Sequence, residues 1–227
     1  MVIANDLDLE IGWLPKVIEM SGNSKIQFRS AGYCNASEYV TKKQVIKNFN
    51  RSMGDIHPMG NPHYSISFSQ MIIVSNKIKS CLLKIEGIDS RMLEKNYKSL
   101  IDKFNLEFKK LKEMLQPLKK LKVITYHREF IYYLDDFGIQ SVGTIEKVPG
   151  VLPSSAHLFH VSKLAKSEKV SLLLASRTNP RKYIQKFKEI TSIPDVILPM
   201  HMVEEFKSYF EYQSFIAKEI LKSVKTY

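Results

Sequence analysis

Apolar residues recur every three or four positions between about residues 90 and 118, the spacing that places them on one face of an α-helix. Asp89 and Ser90 offer a side-chain cap for the first turn, and Pro117 lies near the end of the pattern. The pattern therefore predicts one long amphipathic helix. Its apolar face comprises Leu93, Tyr97, Leu100, Ile101, Phe104, Phe108, Leu111 and Leu115.

From about residue 121 onwards, short apolar runs alternate with helical patterns. Strand–helix alternation at this spacing is typical of a mostly parallel sheet that carries helices on its faces. Strands are predicted at 123–125, 139–145, 170–175 and 195–198, and helices at 127–137, 154–167, 180–191 and 202–223.

The first 86 residues give a weaker pattern, because glycine and proline repeatedly interrupt residues 21–62. We expect a helix over 63–83 that is entered through Asn61 and Pro62. Two shorter elements are predicted, a buried strand at 2–4 and a helix, broken near Pro15, at 9–18.

Together these patterns predict an α/β protein in three segments. The first contains the short strand and helices with a loop-rich stretch, the second is the long helix, and the third is an α/β lobe. The segments are residues 1–88, 89–120 and 121–227.

The composition is typical of a folded globular protein, since 44% of the 227 residues are hydrophobic and 25% are charged. Lysine and arginine number 34 against 23 acidic residues, so the net charge is +11. The excess is mostly scattered lysine without a long basic run, which favours a solvated surface over a nucleic-acid interface. No secretory signal is visible, and no apolar stretch reaches the roughly 18–20 residues of a membrane span.

Two cysteines, Cys34 and Cys81, are too few for a disulfide framework or a four-cysteine zinc site. They could pair once or remain buried thiols, and buried thiols are the favoured interpretation. The difference matters because an oxidising compartment would permit a disulfide.

Three histidines stand at the ends of predicted elements. His127 follows the strand at 123–125 and His201 follows the strand at 195–198, so both are expected at the carboxyl edge of one sheet, where ligands bind. His63 begins the predicted helix in the first part of the chain. Imidazole is a common zinc ligand, and three such groups would leave one position of a tetrahedral site open. A single histidine after a strand is more often a hydrogen-bonded loop residue, so the convergence of three carries the hypothesis.

Other catalytic patterns are weak. His157 and His160 have helical spacing and could chelate, but we interpret them as surface or packing residues. The sequence contains no nucleophile elbow, phosphate-binding loop or His-Glu-x-x-His motif. A zinc hydrolase would need a general base near the metal, for which Glu146 or Glu129 could serve.

Two histidine motifs of the sequence resemble those of a known family. Asn61-Pro62-His63 resembles the (D/N)-P-H-x-W motif of the zinc and manganese substrate-binding proteins of ABC uptake systems, the ZnuA/TroA type. The segment from Val123 to Phe130, VITYHREF, is similar to that family's later histidine segment. Supporting similarities lie at 7–15, at 52–63, and at 146–150 with Pro153-Ser154.

The resemblance implies two small parallel-sheet lobes, bridged by one long helix, with the metal held in the cleft between them. His63 and His127 match two of the family's metal ligands. His201 falls near the position where the family usually places a carboxylate, and a histidine there would favour zinc over manganese. Glu146 and His57 are candidates for the remaining position or for orienting a ligand histidine.

The chain departs from the family pattern at three places. The family's first ligand histidine comes from a loop before the first residue of this chain, so the N-terminal lobe is expected to be incomplete and the site weaker and more open. Ser65 to Phe68 replaces the tryptophan segment after the first motif. Arg177 stands where relatives often carry an acidic residue, and its charge would weaken metal binding if it faced the cleft.

The implied function is therefore metal binding without catalysis. The resemblance implies capture of Zn²⁺, with Mn²⁺ possible, and delivery to the membrane permease of an ABC transporter, in the periplasm or at the cell surface. We expect a monomer that does not bind nucleic acid. The alternatives are a zinc-dependent hydrolase, a basic nucleic-acid-binding protein, and a truncated remnant without function.

Overall fold

The computed structural model describes residues 1–46 and 57–225. This part of the chain forms two compact units, which are residues 1–46 with 57–106 (the first unit) and residues 107–225 (the second unit). Each unit contains a parallel sheet and helices, which confirms the predicted α/β class. Among the described residues, no helix is long and apolar enough to cross a membrane.

The sheet of the first unit has two short parallel strands, β1 (Val2–Ala4) and β2 (Tyr33–Asn35), with Ile3 opposite Cys34. The predicted strand at residues 2–4 is thus confirmed. Its predicted burial is only partly correct, because Ala4 is buried whereas Ile3 is 46% exposed.

Helix α1 (Leu14–Met20) differs from the predicted helix at 9–18. Pro15 lies in its first turn, where the missing N–H would have had no helical partner and the fixed φ suits the helix. Proline therefore begins this helix, and the prediction that it breaks one is wrong.

The predicted helix at 63–83 is also two separate elements. One 3-10 turn spans His63–Ile66, and α2 (Phe68–Leu82) follows. Ser67 separates them with an extended backbone, and its hydroxyl accepts the N–H of Gln70 at 3.2 Å as the N-cap of α2. Because a capping serine interrupts the apolar pattern, the helix begins after His63, not at it.

Cys34 of β2 and Cys81 of α2 form a disulfide, with their Cα atoms 5.9 Å apart. The interpretation as two buried thiols is therefore wrong. The 47-residue separation gives no local signal of the pairing, which arises because α2 packs against β2.

The long helix is confirmed as α3 (Ser90–Leu115), followed by one 3-10 turn at Gln116–Leu118. Asp89 caps it as predicted, since its Oδ1 accepts the N–H groups of Arg91 and Met92 at 2.9 and 3.0 Å. The boundary between the two units falls within α3, after residue 106.

The second unit contains a fully parallel four-stranded sheet in the order β4-β3-β5-β6, as the strand–helix alternation predicts. Every residue of β5 is buried, which is typical of a central strand covered on both faces. The strands are β3 (Lys122–Thr125), β4 (Gln140–Thr144), β5 (Leu172–Ser176) and β6 (Asp195–Leu198).

Four helices accompany this sheet, namely α4 (Ile131–Phe137), α5 (Ser155–Ser167), α6 (Arg181–Thr191) and α7 (Tyr209–Lys225). The helices predicted to start at residues 127 and 202 begin later in the structure, as α4 and α7. In α7, the Ser208 hydroxyl accepts the N–H of Glu211, and the Glu211 carboxylate accepts the N–H of Lys207. This reciprocal cap places the helix start at Tyr209.

Candidate metal centre

His127 and Glu146 meet at the carboxyl edge of the sheet in the second unit. His127 follows β3, Glu146 follows the neighbouring strand β4, and His127 Nδ1 lies 2.6 Å from Glu146 Oε2. The backbone fixes both positions, because the N–H of Glu146 donates to the carbonyl of Tyr126 at 2.9 Å. The other oxygen of Glu146 accepts the N–H of Gly150 at 3.0 Å. Two of the residues predicted from the sequence therefore share one site.

The pKa of His127 reflects opposing effects. Burial of the imidazole is the largest single effect and disfavours its charged form, whereas the hydrogen bond to Glu146 and the charges of Glu129 and Glu146 favour it. The favourable contributions together raise the pKa of His127 above its ordinary value. The two carboxyl groups thus favour a positive charge on His127, although only 25% of its side chain is exposed.

A second carboxyl lies two residues further along the chain. Glu129 is only 1% exposed. Burial raises the pKa of Glu129 to about 7, against a lowering by the charge of His127 and by backbone hydrogen bonds of Glu129 and His127. Sequence reasoning named Glu129 only as a possible general base, since nothing in the sequence signals that it is buried.

Tyr126 also belongs to this edge and was not singled out in the sequence. Its hydroxyl is buried and, within residues 1–46 and 57–225, has no hydrogen-bond partner. Burial raises the pKa of Tyr126 to about 12, and the charge of Glu146 adds to the effect. The carboxyl ends of β3 and β4 therefore bring together one imidazole, two carboxyl groups and one phenol.

His201 is exposed and lies in the segment between β6 and α7. Arg177, after β5, pairs with Glu205 in the same segment at 2.6 Å. The hydrogen bond from Arg177 lowers the pKa of the Glu205 carboxyl. The charge of Arg177, expected to oppose a metal ion, is thus paired with an acidic side chain.

In the first unit, the backbone at His63 is held by its neighbours. The N–H of His63 donates to Asn61 Oδ1 at 2.9 Å, which makes Asn61 an Asx-type turn residue before the 3-10 turn. Asn5 Nδ2 donates to the carbonyl of Pro62 at 3.1 Å, and Tyr64 Oη donates to the carbonyl of Asn5 at 2.7 Å. The Asn-Pro-His motif is therefore positioned by the segment after β1.

His57, the other candidate in this unit, is half-buried, and its carbonyl accepts the N–H of Gly60 at 3.0 Å. Residues 52–56, part of the sequence similarity at 52–63, lie outside the described residues. Within either unit, no three described His, Cys, Asp or Glu side chains are grouped closely enough to hold a metal ion. The ligand roles of His63, His127 and His201 remain predictions.

Solved structures share this fold. The crystal structure of ZnuA matches with a TM-score of 0.78 and 17% identity over 98% of this chain and 79% of that chain. The substrate-binding protein FpvC from Pseudomonas aeruginosa, in complex with Mn²⁺, matches with a TM-score of 0.77 and 16% identity over 99% and 79%. A Cd-bound periplasmic metal binding protein from Candidatus Liberibacter asiaticus gives 0.73 and 16% over 98% and 79%.

At such identities the structural matches establish the fold alone, and no curated protein matches the sequence of this chain. The family is shown by sequence instead. The family model ZnuA, described as zinc-uptake complex component A, periplasmic, matches residues 1–223, and the chain therefore belongs to this family.

Proposed function

We propose that this chain binds a divalent cation, Zn²⁺ in preference to Mn²⁺, and delivers it to the membrane permease of an ABC transporter. The observation that carries the proposal is the pair of His127 and Glu146 at a sheet edge, in a chain of the zinc-uptake family. A carboxylate at Nδ1 selects the tautomer whose Nε2 carries the lone pair, and it makes the imidazole a stronger ligand.

The proposed ligands are His63, His127 and His201. Glu146 orients His127, and His57 is the candidate for a remaining position. Neutral imidazole ligands favour zinc over manganese, which prefers oxygen. Binding to His127 requires the neutral ring, so the raised pKa of His127 makes metal capture weaker as the pH falls.

The disulfide supports the proposed location outside the cytoplasm. A bond between Cys34 and Cys81 persists in oxidising compartments and is rare in the reducing cytosol. We propose the periplasm or the cell surface, a monomer that makes and breaks no covalent bond, and no role for nucleic acid. The proposed location agrees with the periplasmic description of the family.

The test is calorimetric titration of the purified chain with ZnCl₂ and, separately, with MnCl₂. We expect one equivalent of bound zinc that outcompetes manganese, and loss of this binding in the His63→Ala/His127→Ala variant. His160→Ala is the matched control, because His160 is an exposed histidine of α5. Zinc binding that is equal in the wild type and the double variant would refute the site, and so would an equal loss in the control.

A further inference from the structure

Helices α5 and α6 of the second unit carry a strong excess of positive charge. Together they contain six basic side chains and one acidic side chain, all of them exposed. These side chains are Glu189 and the basic residues Lys163, Lys166, Arg181, Lys182, Lys186 and Lys188. Helices α4 and α7 of the same unit contain three basic and four acidic residues. The lysines are scattered along the sequence, but the fold distributes their charge unevenly.

The two helices form one layer, which makes these charges neighbours. Helix α5 packs against α6, and both bury apolar side chains such as Leu158 and Phe187 in one core with the sheet. The exposed side chains of the two helices therefore lie on the outer side of this layer. We call five of them the basic face, namely Lys163, Lys166, Arg181, Lys182 and Lys186.

The stability of the helices does not account for the basic face. Arg181 and Lys182 lie in the first turn of α6, where the helix dipole disfavours positive charge. Lys163 and Lys166 are three residues apart on α5, and Lys182 and Lys186 are four apart on α6, spacings at which like charges repel each other. Because these charges oppose helix stability, their presence indicates a partner of opposite charge.

Few carboxylates compensate the charge of this layer. Lys186 pairs with Glu189 at 2.9 Å, and Lys188 pairs with Asp195 at the start of β6, also at 2.9 Å. Within residues 1–46 and 57–225, the other four residues of the basic face form no ion pair. Most of the positive charge of the basic face is therefore available to an external anion.

An aromatic side chain lies among these charges. Phe159 of α5 is 53% exposed, and Lys163 Nζ lies 4.7 Å from the centre of its ring. An exposed ring beside lysines is typical of proteins that bind a bilayer surface, where the ring enters the interface and the ammonium groups meet anionic headgroups. A nucleic-acid interface that reads bases would favour arginine, of which the basic face contains one. The composition of this surface therefore favours anionic lipid over nucleic acid.

We propose that the basic face, with Phe159, docks the second unit on the surface of an anionic phospholipid bilayer. The lipid phosphates pair with the ammonium and guanidinium groups, and the phenyl ring enters the interface between headgroups and acyl chains. This binding requires no cation and uses none of the proposed metal ligands, so it goes beyond the proposed function.

The experiment measures co-sedimentation of the full chain with two kinds of vesicle. One kind contains phosphatidylcholine and phosphatidylglycerol, and the other contains phosphatidylcholine alone. The face variant is Lys163→Gln/Lys166→Gln/Arg181→Gln/Lys182→Gln. The control variant changes the net charge equally at exposed positions outside α5 and α6, and is Lys16→Gln/Lys95→Gln/Lys98→Gln/Lys218→Gln.

We expect the wild type to bind the anionic vesicles but not the neutral ones, and to bind more weakly as KCl screens the charges. The face variant should bind at least about tenfold more weakly, because each basic residue near an anionic surface contributes roughly fivefold in affinity. Phe159→Ala should weaken binding by about twofold to fivefold. The control variant should stay within about twofold of the wild type.

Several results would overturn the proposal. Binding to neither kind of vesicle would do so, and so would equal losses in the face and control variants, because net charge alone would then explain the binding. The variant Lys163→Arg/Lys166→Arg/Lys182→Arg keeps the charge and should bind like the wild type, so a loss there would contradict a role for charge.

A labelled DNA duplex, titrated by fluorescence anisotropy, tests the competing polyanion. We expect binding to the duplex to be weaker than binding to the anionic vesicles and unaffected by Phe159→Ala. Binding to DNA that is as tight as binding to the vesicles, and that is lost in the face variant, would assign the basic face to nucleic acid and overturn the lipid proposal.

Discussion

The two units of this protein use the same kinds of elements but are stabilised differently. In the second unit, the central strand β5 is buried along its whole length. In the first unit, the strands are three residues long, and Ile11 and Phe28 are 69% and 67% exposed. A two-stranded sheet is marginal by itself, so in the first unit the disulfide and specific hydrogen bonds add to the burial of residues such as Phe68. The comparison teaches that a small α/β unit with a short sheet supplements burial with cross-links.

The units also differ in their electrostatics. The second unit holds groups with raised pKa values, His127 and Glu129, at one edge of its sheet. In the first unit, the candidate ligand His63 is placed by backbone hydrogen bonds around Asn61 and Pro62. Substitutions in the two units should therefore produce different kinds of change, which the following measurements test.

The largest effect is expected from a cavity in the core of the second unit. Phe187 of α6 is fully buried, and Phe187→Ala should lower the free energy of unfolding of this unit by about 3–5 kcal/mol. Urea unfolding followed by circular dichroism measures the loss. Phe159→Ala, at a position 53% exposed, should change it by less than about 0.5 kcal/mol. Equal effects of the two substitutions would contradict the assignment of the core.

Removal of the disulfide should affect the first unit selectively. The Cys34→Ser/Cys81→Ser variant loses the constraint on its unfolded chain, at a cost of about 2–4 kcal/mol. Trp13, the one tryptophan of the sequence, lies in the first unit, so its fluorescence follows this unit during urea unfolding. A reductant should shift the wild type to the same midpoint and leave the variant unchanged. An unaltered Trp13 transition would show that burial alone stabilises the first unit.

The second unit should become less stable as the pH rises. Burial raises the pKa of Glu129 from 4.5 to about 7, so its contribution to stability is complete below pH 4.5 and is lost as the pH rises through about 7. The raised pKa of His127 acts in the same direction, with its contribution complete below pH 6.5. Glu129 alone corresponds to about 3 kcal/mol between about pH 5 and pH 8.

Urea unfolding of the metal-free chain at these two pH values measures this dependence. Glu129→Gln removes the titrating group and should abolish most of the difference in the free energy of unfolding between the two pH values. Glu189→Gln should show the same difference as the wild type. A wild type that is more stable at the higher pH would contradict the sign of both pKa shifts.

The smallest effect is expected from the hydroxyl of Tyr64, which donates to the carbonyl of Asn5 in the first unit. Tyr64→Phe removes this hydrogen bond and should lower the free energy of unfolding of the first unit by about 1 kcal/mol. Trp13 fluorescence during urea unfolding measures it. Tyr39→Phe, at a position 63% exposed, is the control and should lower it by less than about 0.5 kcal/mol, because water replaces the hydrogen bond between its hydroxyl and Glu38.

Much of the fold follows from the sequence, but the quality of the prediction differs between the units. In the second unit, the predicted strands and helices are all present, because apolar periodicity and side-chain caps such as Ser154 act locally. In the first unit, the pattern predicts the wrong helix bounds at Pro15 and Ser67, because each residue type can either end a helix or begin one. The pattern alone does not distinguish these outcomes.

The candidate site was predictable where it depends on strand order. His127 and Glu146 follow strands that the alternation predicts to be parallel, so their proximity at the sheet edge could be expected. The sequence did not indicate that Glu129 is buried. A glutamate in a short loop has no periodicity that reports its orientation, and its burial depends on elements far away in the chain.

By itself, the sequence determined the family, the α/β class, the long helix α3 and the histidine motifs, because these depend on residue types at short spacings. The tertiary structure alone decided that Cys34 and Cys81 pair, that Arg177 is compensated by Glu205, and that Glu129 and Tyr126 lie buried beside His127. Each of these features depends on segments that are distant along the chain. Packing brings such segments together, and no local pattern encodes their distance or their burial.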